Sequence, residues 1–193
     1  MSIADRRFQF TEKVIRETYL EMLAEMPAHK ISVTDLCKRA DLNRSTFYLH
    51  YQDCVALLDA LGSELADRIC ARISDMFRDD QAMQQNMIAM MKPDFFSNPD
   101  DWNIFMSEGA HCSEKIVARA KDVTTASWLG RSNLTKDQIH MLFTYVAYGG
   151  LAVTKAARVG ELQLNDTEDY HMLYQLISQG LHSLVERLPY KHK

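Results

Sequence analysis

Apolar side chains recur along this chain at intervals of three and four residues, and almost nowhere at two. From Thr11 onward Ile15, Tyr19, Met22, Leu23 and Met26 form one stripe of an amphipathic helix. Thr11 is a suitable N-cap, and Pro27 stops the helix at Met26 or just before. Ser32 opens a second, short helix with Asp35 three residues on, and its buried face is Val33, Leu36, Cys37 and Ala40. Ala40-Asp41-Leu42 makes a tight turn, and Asn43 caps a third helix running from Arg44 to about Tyr51. Asp53 then opens a long helix through Val55, Leu57, Leu58, Leu61, Leu65, Ile69, Ile73 and Phe77.

Residues 81–91 are Met-rich and helical in pattern, ending at Lys92-Pro93. Ser97-Asn98-Pro99-Asp100 reads as a loop, followed by a helix from Asp101 or Trp102 that carries Phe105 and Met106. Residues 113–129 form another helical stretch, ending near Gly130. Thr135-x-x-Gln138 is a capping box, and Leu134 with Ile139 fits a hydrophobic staple. The stripe Ile139, Leu142, Phe143, Val146 and Gly150 continues to Ala157, with Gly160 as the stop. A final helix begins near Asp166 or Thr167, shows Leu173, Leu176, Ile177, Leu181, Leu184 and Val185, and stops before Pro189. The prediction is an all-α protein of about nine helices, with an N-terminal three-helix domain over 1–52 and a C-terminal helical domain over 53–193.

Composition agrees. The chain has 193 residues, 47% hydrophobic and 25% charged, and only 7 Gly and 4 Pro, which argues against a collagen-like or turn-rich β chain. Cys37, Cys54, Cys70 and Cys112 show no CxxC spacing, so neither a disulfide framework nor a zinc site is signalled. Glu108 and His111 can share a helix face but have no second ligand pair, so no metal is expected. The N-terminus is too polar for a signal peptide and no apolar run suits a membrane span; a cytoplasmic protein with no membrane partner is expected. G-x-S-x-G, P-loop, G-x-G-x-x-G and H-E-x-x-H motifs are all missing, which predicts neither an enzyme nor a cofactor.

The segment Ile31–Leu58 carries the functional signal. Two short helices joined by a three-residue turn, with longer helices on either side, form a helix-turn-helix whose second short helix suits the ~12 Å major groove. Arg44, Ser45 and Thr46 occupy its first turn, where side chains and backbone N–H groups can meet a phosphate or a base edge. Tyr48, Leu49 and His50 continue along the exposed side, while Phe47 and Tyr51 face the core. The net charge of −4 gives no support to nucleic-acid binding, but its distribution is uneven. Residues 1–52 hold eight basic against seven acidic residues, a balance of +1, and residues 53–193 carry −5. Arg6, Arg7, Lys30, Lys38 and Arg44 sit in the tail, the loop before helix two and the recognition face.

The Ile31-Ser32-Val33-x-x-Leu36-Cys37 entry and the string Arg44-Ser45-Thr46-Phe47-Tyr48-Leu49-His50-Tyr51 resemble the DNA-binding domain of the tetracycline-repressor (TetR) family of bacterial transcriptional regulators. The resemblance runs from Thr11 to Leu58, a quarter of the chain. It implies phosphate contacts from Thr46, Tyr48 and His50, and base-edge readout mainly from Arg44, Ser45 and Tyr48. Lys30 and Thr34 beside helix two, and Leu49 on helix three, complete the candidate DNA-contacting set. Two positions depart from the family pattern. A phosphate-binding Lys often opens the fourth helix, where this chain has Cys54, and a Gly usual in the turn is here Asp41, which tolerates left-handed geometry better than most residues.

Beyond Leu65 the resemblance implies architecture only: a C-terminal bundle that dimerises through its last two long helices and encloses a small-molecule pocket. Small residues suited to close helix approach are Ala147, Gly149, Gly150, Ala152, Ala156 and Gly180. The candidate dimer interface is Phe143, Val146, Ala147, Gly150, Ile177, Gly180, Leu181 and Leu184. The candidate pocket for a small apolar effector is Met87, Phe95, Trp102, Phe105, Met106, Trp128 and Phe143, residues that a bundle core also needs. The expected function is a homodimeric repressor on a near-palindromic double-stranded DNA operator. The competing reading is a protein–protein interaction module acting as a co-activator, kept open by the +1 head, Cys54 and Asp41.

Overall fold

The computed structural model describes residues 3–76, 96, 98–107, 112–129, 134–164, 168–169, 171–173, 175–177 and 179, and every structural statement below concerns these. All regular structure among them is helical. In chain order the elements are α1 (Ile3–Glu25), a 3-10 turn (Ala28–Lys30), α2 (Val33–Arg39), α3 (Arg44–Tyr48), α4 (Cys54–Met76), α5 (Pro99–Met106), α6 (Cys112–Leu129) and α7 (Lys136–Arg158). The described residues between 168 and 179 are helical as well. The helix expected over 81–91 lies outside the described residues. Two compact units result: residues 3–66, 98–107 and 112–116 form the first, and the described residues of 67–97 and from 117 onward form the second.

In the first unit α1 packs against α2 and α5, and α2 against α3. Its core takes Ile15, Tyr19, Met22 and Leu23 from α1, Leu36 and Cys37 from α2, Phe47 from α3, and Leu57, Leu58, Leu61 and Leu65 from α4. The expected stripe of α1 is therefore the buried one, but its expected start is not the real one. α1 begins by Ile3, and Thr11 lies inside it with its hydroxyl donating to the Arg7 carbonyl at 3.0 Å. A solvated helix end needs no apolar stripe, so hydrophobic periodicity misses it. α4 holds a second correction, because Val55 faces solvent while Leu57 and Leu58 are buried.

Helix starts follow local capping chemistry. Ser32 accepts from the Asp35 N–H at 3.1 Å and donates its hydroxyl to the Asp35 carboxylate at 2.5 Å. Asp53 accepts from the Ala56 N–H at 2.7 Å. Asn43 occupies the N-cap of α3 and its carbonyl accepts from Thr46, yet its side chain makes no capping bond. α3 itself ends at Tyr48, earlier than expected, with Leu49 and His50 in a turn. The expected loop at Asn98-Pro99-Asp100 is a helix start: Asn98 caps the Asp100 N–H at 3.0 Å and Pro99 takes the first helical position, where a missing N–H costs nothing.

The second unit contains the clearest sequence signals. Thr135 and Gln138 form the reciprocal capping box, with bonds of 3.3 and 2.8 Å, and Leu134 and Ile139 are both buried. α7 ends as expected at Gly160, whose φ is +78°. Glu161 N–H donates to Ala156 and Gly160 N–H to Ala157, the two bonds of a Schellman motif.

Two backbone positions in the first unit are tightly constrained. Asp41, in the turn between α2 and α3, has φ +52°, the left-handed region that Asp enters at lower cost than β-branched residues. Gly62 lies so close to α6 that a Cβ there would meet Cys112 Sγ at 2.7 Å. All four cysteines are reduced and buried, and burial raises each thiol above its usual value, Cys54 to about 11.

Asp41→Val is expected to destabilise the protein by ~1–2 kcal/mol in urea unfolding, with Asp41→Asn close to neutral. Gly62→Ala gains roughly 1 kcal/mol of helix propensity but meets an overpacking cost of about 1–3 kcal/mol. A net loss that shrinks in a Cys112→Ala background would show that the sulfur is the obstacle. The native protein at pH 8 should react with Ellman's reagent only as fast as it unfolds. Since the folded thiols hold their protons more tightly than the unfolded ones, stability should fall as pH rises from 9 towards 11, measured by thermal melts.

Candidate nucleic-acid interface

The helix-turn-helix is held by residues that face inward. Phe47 is completely buried, with Tyr48 edge-on to it at 5.7 Å and Tyr51 tilted at 6.1 Å. The half-buried Tyr51 hydroxyl donates to Glu12 at 3.0 Å, and burial together with that carboxylate pushes the phenol up to about 12. Arg39 at the end of α2 makes two bonds to Glu25, at 2.6 and 2.7 Å, and a longer one to Glu21, clamping α2 to α1. The hydrogen bond to Arg39 holds the Glu25 carboxyl below the usual carboxylate range. Arg16 joins α1 to α4 through a two-pronged pair with Glu64.

With Phe47 inside, the other residues of α3 turn outward. Arg44 and Ser45 are exposed and Thr46 is half-buried; Tyr48 is 55% and Leu49 74% exposed. Lys30 and Thr34 are exposed beside them in sequence, before and within α2. His50 is the exception: half-buried, it stacks on Phe8 of α1 with ring centroids 4.0 Å apart. Phe8 belongs to a stretch that an α1 beginning at Thr11 leaves out. The only hint of it in the sequence is a pair of aromatics, Phe8 and Phe10, directly after two arginines.

Ion pairing redistributes the small charge surplus of the head. Of its eight cations, Lys13 pairs with Glu17, Arg16 with Glu12 and Glu64, and Arg39 with Glu21 and Glu25. Arg6, Arg7, Lys30, Lys38 and Arg44 make no ion pair among the described residues. At the start of α4, where the resemblance places a phosphate-binding Lys, the N-cap is the Asp53 carboxylate and Cys54 is a buried, protonated thiol.

The remaining candidates fall in several places. Trp102, Phe105 and Met106 belong to α5 in the first unit, where Trp102 stacks on Phe105 at 6.3 Å and Phe105 is buried. Trp128 and Phe143 belong to the second unit, both half-buried. Met87 and Phe95 lie outside the described residues, as do Glu108, His111, Gly180, Leu181 and Leu184. On α7, Phe143, Val146, Ala147 and Gly150 are half-buried, and the face with the most open apolar surface is a different one: Met141, Tyr145, Tyr148 and Ala152, with Tyr145 75% exposed. Ile177 is half-buried, whereas Met172 and Leu176 are well exposed. Among the described residues no group of His, Cys, Asp and Glu is placed to hold a metal ion, and no helix is long and apolar enough to cross a membrane.

No family profile matches the chain. A curated relative, the uncharacterised HTH-type transcriptional regulator YxbF of Bacillus subtilis (strain 168), is 32% identical over 72 residues. That match takes in 37% of this chain and 18% of YxbF, so the chain spans about a fifth of its relative's length. Solved structures align over nearly the whole chain. A TetR family transcription regulator from Marinobacter aquaeolei VT8 superposes with a TM-score of 0.62 at 16% identity, covering 90% of this chain and 96% of the other. NalD, the secondary repressor of the MexAB-OprM multidrug efflux pump in Pseudomonas aeruginosa, gives 0.67 at 12% identity over 90% and 97%. The regulator FadR from Bacillus subtilis, in complex with stearoyl-CoA, gives 0.65 at 11% identity over 86% and 96%. All-helical, with a helix-turn-helix near its N-terminus, the chain has the fold of the TetR-family transcription regulators.

Proposed function

We propose that the protein is a sequence-specific DNA-binding transcription regulator, a homodimeric repressor of the TetR type acting on a near-palindromic operator. The observation that carries this reading is the outward face of α3: Arg44, Ser45, Tyr48 and Leu49 lie open to solvent around a fully buried Phe47. Lys30 and Thr34, with Thr46 and His50, complete the contact set. Residues 1–52 provide the DNA-binding head, and residues from 53 onward provide dimerisation and control. Five cations without ion-pair partners among the described residues supply the electrostatic attraction to phosphates that an overall charge of −4 conceals.

Dimerisation follows from α7 and the last helix. The apolar face of Met141, Tyr145, Tyr148 and Ala152 repeats at helical spacing, and Met172 and Leu176 are one turn apart on the last helix. A two-fold dimer built on these faces adds to the Phe143, Val146, Ala147, Gly150, Ile177, Gly180, Leu181 and Leu184 set. It would present two α3 helices to successive major grooves, ~34 Å apart. Release from DNA comes from a small apolar effector that prefers a head spacing unsuited to those grooves, a shift of population between two dimer states. FadR with its stearoyl-CoA supports an apolar acyl chain as the part of such an effector that a bundle of this fold can hold.

Selection from genomic fragments should enrich a near-palindrome whose binding weakens steeply with salt, and Arg44→Ala or Tyr48→Ala should cost ~1–3 kcal/mol on it. Recovery of no sequence, together with one stoichiometric protein in a pull-down, would favour the co-activator reading instead. Tyr145→Asp is expected to shift sedimentation towards monomer and to weaken binding to the full palindrome.

A further inference from the structure

α1 extends eight residues further toward the N-terminus than its apolar stripe requires, and those turns carry their own chemistry. Residues 5–10 are all exposed, and Phe10 is 69% open. Phe8 is nonetheless engaged: its ring stacks on His50, just past the end of α3, with an interplanar angle of 26°. His50 Nδ1 is buried without a hydrogen-bond partner among the described residues, and its ring is held between the Phe8 stack and a tilted contact with Tyr51 at 6.5 Å. Arg6, Arg7, Phe10 and Thr11 line an open concavity, and neither arginine makes an ion pair among the described residues. With a rise of ~1.5 Å per residue, Arg6 and Arg7 start within one turn of Phe8. Fixing Phe8 against the turn that follows α3 therefore fixes the first turns of α1, and with them two arginines that make no ion pair among the described residues.

Beside α3 the other exposed cations without ion pairs among the described residues are Arg44 at its head and Lys30 and Lys38 before and on α2. The turn before α3 contributes Asp41, and the start of α4 contributes Asp53 and a protonated thiol. We propose that residues 6–8 form a second DNA contact. Arg6 and Arg7 take phosphates next to the groove that α3 enters, and Phe8 is the positioning residue that holds them there through His50. The occupant is double-stranded DNA because the arginines are tied to the helix that reads it, and their charge is complementary to the backbone. This proposal rests on the DNA-binding reading above.

The test uses the full chain and a duplex selected by the wild type, comparing salt dependence for wild type, Arg6→Gln/Arg7→Gln, Phe8→Ala, Phe8→Tyr and Arg44→Ala. Each phosphate contact contributes about 0.9 to the slope of log K against log salt, so the double arginine variant, which removes two contacts from each protomer of the proposed dimer, should flatten that slope by about 3.6 with base preference unchanged. Phe8→Ala should flatten it similarly although no charge is removed, and Phe8→Tyr should restore it. A purely structural Phe8 would lower the melting temperature and leave the slope alone. If Arg44→Ala weakens binding while the arginine pair and Phe8→Ala keep the wild-type slope, this proposal is overturned and the DNA reading stands. If the wild type enriches no duplex at any salt concentration, both fall together.

Discussion

α2 has seven residues and α3 five, well short of the ~12–15 at which an isolated helix becomes marginally stable in water. The recognition element therefore exists only as far as something else holds it, and α1 is what holds it. α1 clamps α2 through Glu21 and Glu25 on Arg39, receives the Tyr51 hydroxyl on Glu12, ties to α4 through Arg16 and Glu64, and stacks Phe8 on His50. Beneath these polar ties, most of the stabilisation comes from burying Ile15, Tyr19 and Met22 in the same core as Leu36 and Phe47. Exposed ion pairs contribute only ~0.2–1 kcal/mol each, so here they set direction more than stability.

The same ties decide where the charge goes. α1 uses its acids on cations whose task is to hold helices together, and among the described residues of the head the cations that remain are those in the first turns of α1, before α2, on α2 and at the head of α3. A chain with an acidic total can then present a small basic surface. Under the proposed function its attraction for DNA at large should be weak, leaving discrimination to the few α3 side chains open to solvent.

Much of this was legible in the sequence wherever a local rule governs. Ser32, Asp53, the Thr135–Gln138 box and Gly160 mark helix ends through chemistry complete within a few residues, and each stands as expected. Positive φ at Asp41 was foreseeable as the place where a turn needs left-handed backbone. Three things were not legible. The start of α1 is a solvated helical extension without a stripe. α7 is apolar on two faces, and periodicity finds one without saying which is open: Ile139 is buried, while Met141, Tyr145 and Tyr148 are exposed. The Phe8–His50 stack joins residues 42 positions apart, and only packing brings them together. For the proposed recognition face, the Thr46-Phe47-Tyr48 string carries the signal, since polarity alone does not separate a reading face from an ordinary wet one.

The buried thiols have a practical consequence for anyone studying the molecule in motion. Four native cysteines that hold their protons and lie away from solvent leave the surface chemically silent towards thiol reagents. A single cysteine placed on an exposed polar position would be the one site that takes a fluorophore or spin label, without first removing the natural four. In a symmetric assembly that one substitution yields a matched pair of labels. In the proposed dimer, the distance between the two heads then becomes a quantity that can be followed in solution as conditions change.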